Sequence, residues 1–120
     1  MFIILMGVSG SGKSAVGVAL ARELGWSFFD GDDYHPERNV AKMRAGIPLT
    51  DDDRRDWLLT LANLISENLQ RAKPGVLACS ALKQKYRDIL NIDPEQVRFV
   101  YLKGSRELIS GRMHERTEHF

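Results

Sequence analysis

Apolar residues occur in two patterns along this chain. Short unbroken apolar runs alternate with longer segments in which apolar residues recur every three to four positions. Runs without alternation are typical of parallel strands that are covered on both faces. We therefore predict strands at 2–6, 27–29, 76–79 and 97–102.

The segments with helical spacing lie between these runs. The first predicted helix spans 13–24 and ends at Gly25, and the second opens with His35-Pro36 and runs to Met43. A long helix follows Thr50 and ends at 73–75, and a short one spans 83–90 after a cap at Ser80. The alternation of strands and helices predicts a three-layer α/β fold with a parallel sheet.

The long helix carries its own start signal. Thr50 is a predicted N-cap, with Asp53 three residues on as in a capping box, so the acidic run 51–53 is mainly structural. The apolar stripe that begins at Trp57 and ends at Leu69 is predicted to be core and not ligand-binding.

The loop after the first run carries the strongest chemical signal. Glycines that permit a left-handed backbone would turn N–H groups toward phosphate oxygens at a helix N-terminus. A flexible Gly/Ser turn is the alternative, but it leaves the Lys-Ser pair and the position between a strand and a helix unexplained. Lys13 would reach the terminal phosphates, and the Ser14 hydroxyl would bind Mg²⁺. The predicted nucleotide-binding residues are Gly7, Val8, Ser9, Gly10, Ser11, Gly12, Lys13 and Ser14.

Carboxylates follow the second predicted strand and not the third. The third run ends in Cys79-Ser80, which leaves Asp30 or Asp32 to hold a metal ion or the acceptor. An Asx-turn is the alternative role for these two acids. This placement favours a small-molecule kinase, and the chain has no Asn-Lys-x-Asp motif of a GTPase.

Three arginines are candidates for binding anions. Arg112 and Arg116 lie one turn apart on a last predicted helix capped by Ser105, either as lid arginines or as an exposed basic face. Arg54 lies in the first turn of the long helix, where the dipole disfavours a cation, so it is a candidate for pairing with a substrate anion.

Composition narrows the class of protein. Seventeen basic and sixteen acidic residues are spread along 120 positions, which gives no indication of nucleic acid or membrane partners. The single cysteine, Cys79, is predicted to be a buried thiol, and no run has the length of a signal peptide core or a membrane span. We expect one cytoplasmic domain over 1–120, with a homodimer left open.

Several motifs together resemble one family. The Gly7–Ser14 loop is followed by Asp-Gly-Asp-Asp-Tyr-His-Pro at 30–36, Gly-Ile-Pro-Leu at 46–49, Asp-Arg at 53–54 and Ala-Cys-Ser-Ala-Leu-Lys at 78–83. This combination is similar to the gluconokinases. The resemblance implies an adenylate- or shikimate-kinase-like fold, ATP and Mg²⁺ as cofactors, and phosphorylation of D-gluconate at its 6-hydroxyl.

The resemblance also implies roles for individual residues. Asp30 would hold Mg²⁺ through water, Asp32 would contact the acceptor hydroxyl as base or orienter, and Arg54 would pair with the substrate carboxylate. Catalytic roles fall to Lys13, Asp32, Arg112 and Arg116. Weaker substrate or phosphate candidates are His35, Lys42, Lys83 and Arg87.

The end of the sequence departs from the family pattern. Residues 112–120 resemble the start of the family's lid, which normally continues into a fifth strand and a closing helix. From the sequence we expect this last strand and helix to be missing, the fourth strand to be an open edge, and the chain to associate. Two alternatives to a gluconate kinase stay open. The first is a kinase for another small anionic acceptor such as shikimate, and the second is a nucleotide-binding fragment without turnover.

Overall fold

The computed structural model describes residues 1–7, 12–80 and 83–102. Each strand is separated from the next by one or two helices in this part of the chain, with one 3-10 turn at Gly31–Tyr34. The strands are β1 (Phe2–Met6), β2 (Ser27–Asp30), β3 (Gly75–Ala78) and β4 (Val97–Tyr101). The helices are α1 (Lys13–Leu24), α2 (Glu37–Arg44), α3 (Asp51–Gln70) and α4 (Gln84–Leu90).

The four strands form one parallel sheet in the order β2-β3-β1-β4. Leu5 of β1 is level with Ala78 of β3, which in turn is level with Asp30 of β2. The carboxyl ends of β1, β2 and β3 therefore meet at one edge of the sheet, where ligands of open α/β folds bind. The predicted parallel α/β fold is confirmed.

The two faces of the sheet carry separate cores. Phe2, Ile4 and Met6 point to the face covered by α3 and α4, whereas Leu5 packs with Val16 of α1 on the opposite face. The predicted stripe of α3 is buried against the first face at Trp57, Leu58, Leu61 and Ile65. This arrangement is the three-layer architecture that the sequence predicts. None of the helices in the described ranges is both long and apolar enough to cross a lipid bilayer.

The end of α3 differs from the prediction. The helix ends at Gln70, and Ala72 takes the left-handed conformation (φ 55°) that usually selects glycine. Ala72 N–H donates to the Leu69 carbonyl and Lys73 N–H to the Asn68 carbonyl, which together form a Schellman motif. The helix therefore stops before the predicted 73–75 break.

Three other predicted boundaries also require correction. Gly75 belongs to β3, and a Cβ there would lie 2.7 Å from the Phe2 ring and 3.0 Å from the Phe29 ring, so packing explains the glycine. Ser80 does not cap α4, because the N-cap is Lys83 and no side chain caps this helix. Similarly, α2 starts at Glu37 with Pro36 as its N-cap, and not at the His35-Pro36 pair.

The predicted capping box at the start of α3 is confirmed and extended. Asp53 N–H donates to Thr50 Oγ1 (3.1 Å), and Thr50 N–H donates to Asp53 Oδ2 (3.0 Å). Lys42 of α2 donates from Nζ to the same Asp53 oxygen at 2.7 Å. The lysine, followed by the Thr50 backbone bond, lowers the pKa of Asp53 from 3.8 to about 2. Asp53 therefore joins α2 to α3 as well as starting α3.

This pKa shift predicts a defined acid sensitivity. A carboxyl group whose pKa is lower in the folded state stabilises the protein above pH 3.8, and this stabilisation is lost as the pH falls toward 2. Asp53→Asn should therefore lower the melting temperature at pH 6, and its difference from the parent protein should shrink between pH 4 and 2. Thermal melts at closely spaced pH values provide the measurement.

Asp52→Asn is the matched control, because Asp52 is an exposed acid in the same helical turn. It removes the same charge beside the same helix dipole without touching the Lys42 pair. A gap between Asp53→Asn and the parent protein that stayed constant down to pH 2 would contradict the assignment.

Candidate active site

The start of α1 has the features of a phosphate-binding site. Gly12 is the N-cap in the left-handed conformation (φ 80°), and no side chain caps the helix. The N–H groups in the first turn of α1 are therefore not bound by a capping side chain and can bind an anion. Lys13 is half-buried and Ser14 exposed in the first turn. The other predicted loop residues, 8–11, lie outside the described residues.

Asp30 lies against this helix start. Ser14 donates from Oγ to Asp30 Oδ2 (3.2 Å), while Asp30 Oδ1 accepts the Asp32 N–H (3.0 Å). The Asx-turn and the contact with the phosphate loop are therefore both present. A hydroxyl and a carboxylate side by side suit Mg²⁺, which takes one or two protein carboxylates and completes its shell with phosphate and water. No group of three or more His, Cys, Asp or Glu residues that could hold a metal occurs within the described ranges.

The turn after β2 is held tightly at the sheet edge. A Cβ at Gly31 would lie 2.8 Å from the Ala78 carbonyl, so only glycine fits there without a shift. Trp57 donates from Nε1 to the Gly31 carbonyl at 2.7 Å. These contacts fix the position from which Asp30 and Asp32 project.

A cleft of about 490 Å³ opens beside this turn. Its polar lining consists of Asp32, His35, Arg54 and Ser80. Its apolar lining includes Met43, Ile47, Leu49 and Trp57. Ser80 follows β3, so the cleft lies at the same sheet edge as the phosphate-binding features. Its size suits a small molecule.

Arg54 is held at the cleft by α4. Its Nη1 donates to Tyr86 Oη (3.2 Å), and the guanidinium lies 5.8 Å from the centre of the Tyr86 ring. Tyr86 in turn donates to Asp51 Oδ1, which also accepts from Lys83 Nζ, while Asp51 Oδ2 accepts from Lys85 Nζ. Among the described residues no carboxylate pairs with Arg54, so its charge is available to an anionic ligand.

Asp51 is the centre of this charged group. Three hydrogen bonds hold the pKa of Asp51 well below its usual range. The bond from Lys85 has the largest effect, followed by those from Tyr86 and Lys83. The carboxylate therefore stays ionised and links the first turn of α3 to α4. This supports the prediction that the acidic run 51–53 is mainly structural.

Three predicted substrate residues make contacts away from the cleft lining. Lys42 is paired with Asp53 at 2.7 Å, and Lys83 lies 3.1 Å from Asp51 Oδ1. Arg87 donates from Nη2 to Gln84 Oε1 at 2.6 Å. Their roles toward substrate or phosphate stay predictions. The lid candidates Arg112 and Arg116 lie outside the described residues and also stay predictions.

Trp57 and Tyr86 were not among the site residues predicted from the sequence. Trp57 was predicted to be core, and it is 2% exposed, yet its ring also lines the cleft. Tyr86 was not a candidate, although its hydroxyl joins Arg54 to Asp51. Tyr86 lies four residues before the buried Leu90 and so shares the inner face of α4, but no local pattern of the sequence points to its partners.

Together these features define a class of protein. A parallel sheet between two helical layers, a glycine-rich loop between β1 and α1, and carboxylates after β2 are the arrangement of a nucleotide-binding P-loop kinase. The cleft at the same sheet edge has the size of a site for a small molecule.

Comparisons with known proteins identify the family. The family model for shikimate kinase matches residues 9–119. The probable gluconokinase of Mus musculus is 45% identical over 135 residues, covering 98% of this chain and 73% of the mouse protein. The thermoresistant gluconokinase of Escherichia coli K12 is 46% identical over 117 residues, covering 98% of this chain and 67% of that protein.

A solved structure agrees with these relatives. A gluconokinase from Sinorhizobium meliloti 1021 is 49% identical with a TM-score of 0.78, over 98% of this chain and 66% of that one. The chain belongs to the gluconokinase family. The resemblance predicted from the sequence is thereby confirmed, and the chain spans about two thirds to three quarters of the length of these relatives.

Proposed function

We propose that this chain catalyses transfer of the γ-phosphate of ATP to the 6-hydroxyl of D-gluconate. The observation that carries the proposal is the position of Arg54 and Asp32 in one cleft beside the Ser14–Asp30 pair. A guanidinium group that could bind an anion and a carboxylate that could bind a hydroxyl thus lie next to the predicted phosphate site. The names of the relatives support gluconate as the acceptor.

The start of α1 would bind the nucleotide. The uncapped N–H groups after Gly12 would contact phosphate oxygens, and Lys13 would neutralise charge on the transferred group. Ser14 and Asp30 would hold Mg²⁺, which supplies charge neutralisation between the phosphates. The roles of these residues are consistent with a transfer that depends mainly on positioning and electrostatics.

The cleft would bind the acceptor at both ends. Arg54 would pair its planar guanidinium with the C1 carboxylate of gluconate in a two-bond contact. Asp32 would accept a hydrogen bond from the reacting hydroxyl and orient its oxygen toward the phosphate. The cytoplasmic location and the oligomeric state expected from the sequence stay predictions.

Shikimate is the second candidate acceptor, because the matching family model is that of shikimate kinase and shikimate also carries a carboxylate. ADP release across gluconate, other sugar acids, shikimate and nucleoside monophosphates separates the candidates. We expect gluconate to give the highest kcat/KM. Higher kcat/KM with shikimate would replace the proposal, and ATP binding without ADP release from any acceptor would favour a nucleotide-binding role.

Replacing Arg54 tests the acceptor site directly. Arg54→Leu should raise the KM for gluconate by about 10- to 100-fold, because a charged hydrogen-bonded pair contributes about 1.5–3 kcal/mol. The KM for ATP should change little. Steady-state kinetics with each substrate varied in turn measure both values.

The matched control is Arg55→Leu, since Arg55 is the next residue of the same helix and is exposed. It should leave both KM values near those of the parent protein. Equal weakening of ATP and gluconate in Arg54→Leu would show that the arginine does not serve the acceptor alone.

A further inference from the structure

His35 is packed on two sides beside the cleft. Its ring stacks on the Trp57 ring with 4.3 Å between centroids and 14° between planes. Asn39, one helical turn further along, is fully buried and lies next to the edge of the imidazole. Neither contact belongs to the phosphate-binding features. Because a buried side-chain amide needs hydrogen-bond partners, the role of Asn39 must follow from its own contacts.

The orientation of the Asn39 amide follows from its partner. Asn39 Nδ2 lies 2.8 Å from the Asp53 main-chain carbonyl oxygen. A carbonyl oxygen can only accept, so the amide nitrogen and not the amide oxygen must face it. The flipped amide would set two acceptor oxygens against each other in a buried place.

The same nitrogen fixes the imidazole. Asn39 Nδ2 also lies 3.3 Å from His35 Nδ1. An NH₂ group has two hydrogens and nothing to accept with, so Nδ1 must be the acceptor. A neutral imidazole whose Nδ1 accepts carries its proton on Nε2.

The protonated ring is disfavoured by the same contact. An imidazolium would place an Nδ1–H donor against the Asn39 NH₂ group. Burial is the largest influence on the pKa of His35 and lowers it below the ordinary 6.5, with Asp32 opposing this shift and Arg54 adding to it. The ring is therefore neutral at physiological pH, with its only donor at Nε2.

We propose that Asn39 is a positioning residue that holds His35 as the Nε2–H tautomer, so that His35 donates a hydrogen bond to an oxygen of the acceptor in the cleft. His35 lines the cleft, and the Nδ1 side of its ring is taken by Asn39. A neutral donor adds to Asp32, which accepts, and to Arg54, which is charged. The identity of the acceptor as a sugar acid rests on the proposed function.

Nitrogen-15 NMR of histidine-labelled protein tests the tautomer without any substrate. The chain has three histidines, and the signals of His35 are assigned by their loss in His35→Gln. We expect one protonated Nε2 and one unprotonated Nδ1 at pH 7.5. An Nδ1–H tautomer, or an imidazolium at that pH, would overturn the inference whatever the activity of the protein.

Adding gluconate tests the donor role. The Nε2 proton should shift on saturation, while Nδ1 keeps its unprotonated shift. If gluconate binds, as judged by calorimetry, and Nε2 does not respond, the donor role is wrong. Should gluconate fail to bind, the proposed function fails, and the same titration with the acceptor chosen by the substrate panel decides the donor role.

Two substitutions of His35 provide a matched kinetic test. The amide nitrogen of glutamine can reach the place of Nε2, whereas that of asparagine reaches only the place of Nδ1. His35→Gln should keep kcat/KM for the acceptor within about threefold, and His35→Asn should lower it about tenfold, the range of one lost hydrogen bond. Equal losses in both variants would contradict the donor role.

Asn39→Asp tests the positioning role. The substitution replaces the donor that faces Nδ1 with an acceptor, so Nδ1 should become protonated. The pKa of the His35 ring should therefore rise, and the ring should stay charged up to a higher pH. Asp32 and Arg54 are unchanged and act on both proteins alike. An unaltered tautomer in a folded Asn39→Asp protein would overturn the role, and the parent spectrum decides the matter if this variant does not fold.

Discussion

Replacing Lys13 by methionine is expected to lower kcat by at least about 100-fold, the loss typical of removing one preorganised group that stabilises transition-state charge. Lys13 follows Gly12 directly and is half-buried in the first turn of α1. Methionine keeps the length of the apolar stem and removes only the ammonium group. Because that charge is proposed to meet phosphate oxygens and not the core, the melting temperature should change little.

Lys73→Met is the matched control, because Lys73 is an exposed lysine in the connection between α3 and β3, away from the cleft. It should retain full activity. Coupled ADP release and thermal melting are measured on both variants. If Lys13→Met kept more than about a tenth of the parent activity, Lys13 would not have the role proposed for it.

Local signals were sufficient for most of the fold. The bounds of β1 and α1 are those predicted, because an unbroken apolar run and a left-handed glycine at position 25 are readable within a few residues. The start of α3 was predicted from Thr50 and Asp53 for the same reason. Each of these signals is a bond or a backbone preference between near neighbours in sequence.

The errors arose where the cause is distant in sequence or breaks a preference. Ala72 takes a conformation that normally selects glycine, so no residue type marked the end of α3. Gly75 was read as a helix breaker, but the rings of Phe2 and Phe29 explain it, and both come from other strands. Neither fact can be read from residues 70–76 alone.

The contacts of the candidate site also divide into those that the sequence could predict and those that it could not. The sequence predicted that Asp30 or Asp32 faces the phosphate loop, since the carboxyl ends of parallel strands lie at one edge of the sheet, and the Ser14–Asp30 hydrogen bond agrees with this placement. The contacts of His35 with Trp57 and Asn39 were not, because they depend on how α2 packs against α3. Similarly, Lys42 was predicted to bind substrate, and only the packed helices show its pairing with Asp53.

Asp32→Asn should lower kcat by about 10²–10⁴-fold, the range for a lost acid–base or orienting group, with little change in the KM for ATP. The Asp32 side chain lines the cleft, while its main-chain N–H donates to Asp30 Oδ1. Asparagine keeps the shape of the side chain and cannot take a proton from the acceptor hydroxyl. Steady-state kinetics with gluconate and ATP varied separately give the measurement.

The Mg²⁺ dependence distinguishes the two acids of this turn. Asp32→Asn retains the main-chain bond to Asp30, so the carboxylate beside Ser14 should keep its position. The concentration of Mg²⁺ that gives half-maximal activity should therefore stay within about twofold of the parent value. Asp33→Asn, an exposed neighbour in the same turn, is the control and should be nearly as active as the parent protein. A large rise in the Mg²⁺ requirement of Asp32→Asn would reassign Asp32 to the metal, because a residue that only orients the acceptor has no contact through which to change metal affinity.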